Sequence, residues 1–238
     1  MTSRNFQIIY LLPNLFTAAS IFTAIISIVA AINGNFEKSV WLIFLSLLFD
    51  GIDGRIARLT DTTSKFGVEF DSLADIVAFG VAPAILLYFY VGYEYGKLGT
   101  LVMALYIIFG AIRLARFNVN VSNIDPAVFI GIPIPAAAMF VSVWVLMFLK
   151  YDFLSKYSWI LLLGAFFISI LMVSNIRYPS FKKINLKRSM LIKILIVFII
   201  FTSLFYLYPV EGFAIMITSY TLFGLARTIY ALAKIKKV

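Results

Sequence analysis

Residues 50–75 read DGIDGRIARLTDTTSKFGVEFDSLAD and hold five of the chain's seven aspartates. Apolar runs flank them on both sides, so the carboxylates belong to the ends of two membrane-type helices and the loop between them. At about 100° per residue, Asp50 and Asp53 sit about 60° apart on the first of these helices, with Gly54 and Ala57 near the same stripe. On the second helix Gly67, Asp71 and Asp75 follow an i, i+4, i+8 stripe. Two antiparallel helices of this kind present two carboxylates each to one common space, and the small residues leave room for a ligand to approach the backbone. Glu69 lies off the stripe and Asp61 falls in the loop.

An aspartate at mid-membrane costs about 2.5–3.5 kcal/mol, so four cost about 10–14 kcal/mol at the centre and less near an interface. Four like charges in one space also repel, and protons or divalent cations must neutralise them. Two divalent cations balance four carboxylates, and a carboxylate-held metal pair is suited to clamping phosphoryl oxygens. The chain has no cysteine and no histidine. Disulfides and thiolate zinc sites are thereby excluded, and oxygen ligands favour magnesium, manganese or calcium. Any general base is a carboxylate, a lysine or a tyrosine.

Composition sets the surroundings. Of 238 residues, 63% are hydrophobic and 13% charged, against about 45–50% and about 25% in an average soluble domain. The excess apolar surface calls for a bilayer. The expected fold is all-α and polytopic, with about eight transmembrane helices at roughly 14–33, 37–59, 66–91, 98–120, 131–150, 157–175, 190–208 and 212–234. Turn or charge signals separate them at Asn33-Gly34, Tyr93 to Gly96, Asp125-Pro126, Lys150 to Lys156, Tyr178 to Ser189 and Pro209. Met1 to Leu12 is expected to lie along the interface, or to fray from the first helix, with Pro13 starting the span. No cleavable signal peptide, repeat or linker is expected, and one domain spans 1–238, its catalytic helices within about 13–182 and two further helices over 190–235.

The net charge of +9 would suggest nucleic acid in a soluble protein. Here the basic residues sit between apolar runs, which points to positive-inside topology and anionic lipid instead. With the N-terminus inside, sixteen Lys and Arg fall on the inner side and four (Lys38, Lys97, Lys150, Lys156) on the outer. That bias implies N-in and C-in, with the aspartates at the cytoplasmic face of the cell membrane. The run Lys182, Lys183, Lys187, Arg188 is expected on lipid headgroups.

The spacing Asp50-x2-Asp53-Gly54-x2-Ala57-Arg58-x8-Gly67-x3-Asp71-x3-Asp75 resembles, at every position, the signature of the CDP-alcohol phosphatidyltransferases. The resemblance implies a two-metal site (Mg2+ or Mn2+) held by Asp50, Asp53, Asp71 and Asp75, with Asp75 also the base that deprotonates the incoming alcohol. It implies that Gly54, Arg58 and Gly67 hold the CDP moiety. PNLFTAAS at 13–20 is similar to the opening of the family's first helix and adds Asn14 and Thr17; for Asn14 an ordinary helix cap is the competing reading.

RLARFNV at 113–119, GIPIPAAA at 131–138 and MVSNIRYPSFK at 172–182 resemble the membrane-embedded branch of the family that transfers phosphatidyl groups to serine. The implied reaction is attack of the L-serine hydroxyl on the lipid-side phosphorus of CDP-diacylglycerol, giving phosphatidylserine and CMP. The serine carboxylate calls for a forked cation, and the candidates are Arg113, Arg116, Arg177 and the nearby Asn118. These arginines could equally bind lipid phosphate or snorkel to the interface. Glycerol phosphate or inositol phosphate acceptors would also want arginines, so charge leaves the acceptor open. The non-enzyme alternative is a cation transporter, which would need carboxylates deep in several spans. A homodimer is implied by resemblance alone.

Overall fold

The computed structural model describes residues 3–60, 62, 64–120, 128–179, 202–203 and 205–235. Helices α1 (Ser3–Ile32) and α2 (Phe36–Leu59) form an antiparallel pair. Their turn is a glycine-led helix stop: Gly34 takes a left-handed φ of 76°, and the Asn35 amide returns to the Ala30 carbonyl at 2.8 Å. α1 passes through Pro13 instead of starting there. An interior proline forfeits one backbone bond, but its fixed φ is helical. Asn14 is therefore inside α1 and not at its N-terminus.

The facing sides of α1 and α2 carry hydroxyls. Ser27 meets Ser39 at 2.8 Å, Thr23 meets Ser46 at 2.7 Å, and Thr17 Oγ1 donates to Asp53 Oδ2 at 2.7 Å. Ser39, Ser46 and Asp53 are seven residues apart, so one helical seam runs along α2 into the aspartate cluster. The outer face of α1 exposes Leu15, Phe22, Ile25, Val29 and Ile32. Polar groups inside and large apolar groups outside are the pattern of helices packed in lipid, where small hydroxyl residues bring backbones close.

Among the described residues, four helical stretches are long and apolar enough to cross a membrane: Leu12–Ile32, Lys65–Tyr90, Lys97–Val119 and Pro209–Thr228. The second of these was expected as one helix. It consists of α3 (Lys65–Asp75), a π-helical turn (Ile76–Val81) and α4 (Ala82–Tyr90). Pro83 explains the interruption. It has no N–H for the carbonyl four residues back, which belongs to Phe79. The fully buried Tyr106 hydroxyl donates to that carbonyl at 3.2 Å. The widened turn begins directly after Asp75.

A short 3-10 turn (Gly92–Tyr95) leads into α5 (Lys97–Asn120). Then come strand β1 (Val128–Ile130), α6 (Ile134–Lys150), a single turn α7 (Asp152–Ser155), α8 (Ser158–Val173), strand β2 (Arg177–Pro179) and α9 (Pro209–Ile235). β1 and β2 pair antiparallel with Phe129 opposite Tyr178. This two-stranded ribbon is an addition to the all-α expectation. α6 starts at Ile134 and not at 131, because Gly131 has a φ of 74° and Pro133 is extended. α8 ends at Val173 and not at 175. The helix expected at 190–208 and the basic run 182–188 lie outside the described residues.

The core forms where α5, α6 and α8 meet the π turn and α4, with Phe79, Leu86, Leu87, Tyr106, Ile134, Ile168 and Met172 fully buried. α9 joins at its start, where Glu211 accepts from Lys150 and from the Tyr151 hydroxyl, and further along, where Trp144 Nε1 donates to Thr218 at 3.2 Å.

Candidate active site

The four aspartates converge where α2 ends and α3 begins. Carboxylate oxygens of Asp50, Asp53 and Asp71 all lie within 4.8 Å of one another. Asp75, one turn beyond Asp71, lies against Asp50. One carboxylate oxygen each of Asp71 and Asp75 is buried without a hydrogen-bond partner. Buried carboxylate oxygens are rarely left so, and here they face further carboxylates. Among the described residues no ion pair joins Arg55 or Arg58 to these aspartates; the one ion pair is Lys150–Glu211. An all-oxygen cluster with orphaned buried oxygens fits hard divalent cations. Asp53 is fixed by Thr17 and by the helical seam behind it.

Beside the cluster opens a cavity of about 170 Å3. Asn14, Thr17, Gly54, Arg58 and Gly67 all line it, and Asp53 and Asp71 join it to the carboxylates. The two glycines differ in how closely they are approached. A Cβ at Gly54 would lie in ordinary contact with Arg58 Nη1, at 3.5 Å, so the guanidinium one turn on lies directly over this glycine. A Cβ at Gly67 would lie 3.1 Å from Ser64 Oγ and 3.5 Å from Asn14 Oδ1. Ser64 caps α3, accepting from the Gly67 amide at 3.0 Å. The cavity thus faces a helix N-terminus as well as an arginine, a setting suited to phosphate groups. Ser64 and Thr62 also line it and were not singled out from the sequence. The Ser-x-x-Gly step before the α3 apolar run was the available signal.

The four acceptor candidates do not form one group. Arg113, on α5, is buried, lies within Coulombic reach of Asp75, and stacks its guanidinium carbon 5.4 Å above the Phe117 ring. Its Nε has no hydrogen-bond partner. Arg116 points elsewhere. Its Nη1 donates to the Val173 carbonyl at 3.0 Å and Asn175 Oδ1 at 3.3 Å, and its Nη2 to the carbonyls of Ser174 at 3.0 Å and Ile130 at 3.2 Å. It closes the C-terminus of α8, whose last carbonyls lack helical partners. Asn118 Nδ2 donates to Ser72 Oγ at 2.9 Å, tying α5 to α3 beside Asp71. Arg177 is exposed on β2.

Known proteins are similar to this chain in sequence. A chain from Helicobacter pylori strain J99, called CDP-diacylglycerol–serine O-phosphatidyltransferase, is 52% identical over 228 residues, covering 95% of this chain and 94% of that protein. A Bacillus subtilis protein of the same name is 36% identical over 173 residues, 72% of this chain and 92% of that one. An archaetidylserine synthase from Methanothermobacter thermautotrophicus is 36% identical over 170 residues, 71% of this chain and 69% of the relative. The family model for CDP-alcohol phosphatidyltransferase matches residues 10–171, which include all four aspartates and every residue named on the cavity wall. This chain belongs to the CDP-alcohol phosphatidyltransferase family.

Proposed function

We propose that the chain transfers the phosphatidyl group of CDP-diacylglycerol to the hydroxyl of L-serine, giving phosphatidylserine and CMP. The observation that carries this reading is the convergence of four carboxylates from two helices beside a cavity lined by Arg58 and the α3 N-terminus. The names of relatives up to 52% identical support serine as the acceptor.

Asn14, Thr17, Gly54, Arg58 and Gly67 hold the CDP moiety, with the Arg58 guanidinium on the diphosphate. Asp50, Asp53, Asp71 and Asp75 hold two divalent cations, Mg2+ or Mn2+, which when bound neutralise the carboxylates and stabilise charge on the diphosphate. Asp75 takes the proton from the serine hydroxyl. The serine oxygen forms a bond to the lipid-side phosphorus, the bond from that phosphorus to the bridging oxygen breaks, and CMP leaves with the electron pair. Arg113 meets the serine carboxylate. Arg116 and Asn118 serve the fold beside the site, the first on the end of α8 and the second on Ser72 of α3, and Arg177 stays exposed on β2.

The site opens to the cytoplasm, with the N- and C-termini inside and eight spans in a cell-membrane homodimer. The distribution of basic residues supports the orientation. Purified protein in mixed micelles should release CMP from CDP-diacylglycerol with L-serine and a divalent cation. The comparison panel is glycerol phosphate, inositol phosphate and inositol. Release with one of these and none with serine would transfer the reading to that acceptor, and no release with any would remove it. Divalent-ion flux in liposomes without CMP release would favour a transporter.

A further inference from the structure

The helix that carries Asp71 and Asp75 is regular as far as Asp75. Over Ile76–Val81 it widens to the π turn, in which the Ala82 amide returns to the carbonyl of Val77, five residues back. A regular α-helix from Lys65 to Tyr90 would set Asp71 and Asp75 within about 60° of Ala82 and Leu86. Both of those side chains are fully buried in the apolar core. The π turn takes up one more residue than an α turn. It therefore rotates the carboxylates off that buried stripe by one residue's step, about 100°. With the turn in place, oxygens of Asp71, Asp50 and Asp53 lie within 4.8 Å of one another.

Helix α5 holds this junction at two points. Ahead of the turn, Asn118 Nδ2 donates to Ser72 Oγ at 2.9 Å, and Ser72 stands between Asp71 and Asp75 in the chain. Within the turn, the Tyr106 hydroxyl donates to the Phe79 carbonyl at 3.2 Å. Pro83 withholds the N–H that would close a regular α turn on that carbonyl, and the phenol takes its place from the neighbouring helix. Tyr106 has no exposed surface. We propose that Tyr106 and Pro83 together keep the π turn open, and that Tyr106 is a positioning residue for the metal-binding carboxylates, with Asn118 fixing the α3 side. The proposal rests on the metal-site reading above. Its added content is that a fully buried phenol, outside the carboxylate cluster, decides where two of the four aspartates point.

The test compares detergent-solubilised wild type, Tyr106→Phe, Pro83→Ala and the double variant. Each is measured for melting temperature without metal and for Mn2+ affinity, read from the electron paramagnetic resonance signal of free Mn2+. Tyr106→Phe leaves the buried Phe79 carbonyl without its donor and should lower the melting temperature. Its Mn2+ dissociation constant should rise about tenfold, the scale for loss of a group that orients metal ligands. Pro83→Ala returns a backbone N–H and lets the helix close to a regular α turn. It should melt no lower than wild type, yet bind Mn2+ about tenfold more weakly. The double variant should regain the wild-type melting temperature without regaining Mn2+ affinity. Mn2+ affinity within about twofold of wild type in both single variants overturns the proposal. So does a double variant that regains stability and Mn2+ affinity together, which marks a purely structural tyrosine. Wild-type protein that binds no Mn2+ overturns the metal-site reading itself, and that outcome is seen before any variant is compared.

Discussion

Each aspartate of the cluster has a distinct setting. Asp53 is bonded to Thr17, while Asp71 and Asp75 each keep a buried oxygen with no partner. Asp75 alone sits between the cluster and Arg113. The proposed proton acceptor for the alcohol is the residue at that junction. Asp75→Asn keeps the shape and removes the basic oxygen, so turnover should fall by about a thousandfold or more, comparable to the loss of a general base. CDP-diacylglycerol binding, followed by equilibrium dialysis, should partly survive. Equal loss of binding and turnover would make Asp75 a ligand only. A second expectation needs no substrate. Four carboxylates without counter-charge repel, so Mg2+ or Mn2+ should raise the melting temperature of the detergent-solubilised protein through preferential binding to the folded state. Asp71→Asn should shrink that shift, and a melting temperature that ignores divalent cations would contradict a metal site here.

Helix ends do more here than helix middles. Arg116 donates to carbonyls and a side-chain oxygen at the end of α8 and to the end of β1, and so fixes the ribbon that carries Tyr178. Arg116→Ala leaves those carbonyls without a charged donor. It should lower stability by about 2 kcal/mol, the scale of hydrogen bonds to a charged group. The check is a denaturation series beside Arg113→Ala, which should cost less stability and more serine affinity; the reverse order would exchange the two roles. The difference between these arginines was not legible in RLARFNV, where they stand three residues apart. Arg116's partners lie up to 59 residues away and are mostly backbone carbonyls, which carry no residue signature. The aspartate stripes were legible, because their spacing alone places them on one face of each helix. The π turn was half-legible. Pro83 announces a break, but the rescue of the Phe79 carbonyl by Tyr106 is a contact between helices. Strands of three residues are too short to show a period, which is why the ribbon escaped notice.

In the molecule as a whole, polar groups are drawn inward and apolar ones outward. The hydroxyl seam between α1 and α2 leads to the aspartates, and the faces turned away from it are Leu, Ile, Phe and Val. The aspartate cluster and the cavity beside it lie where α2 and α3 adjoin, and Asn118 near the end of α5 ties that helix to α3 there. The account's central claim is that these four carboxylates carry phosphatidyl transfer to serine. Its most direct test is product stoichiometry from purified protein: phosphatidylserine and CMP measured together, for wild type and for Asp50→Asn, Asp53→Asn, Asp71→Asn and Asp75→Asn. The account predicts one phosphatidylserine per CMP in wild type with a divalent cation, and loss of both products in all four variants. CMP formed without phosphatidylserine, or undiminished transfer in any of the four, would contradict it.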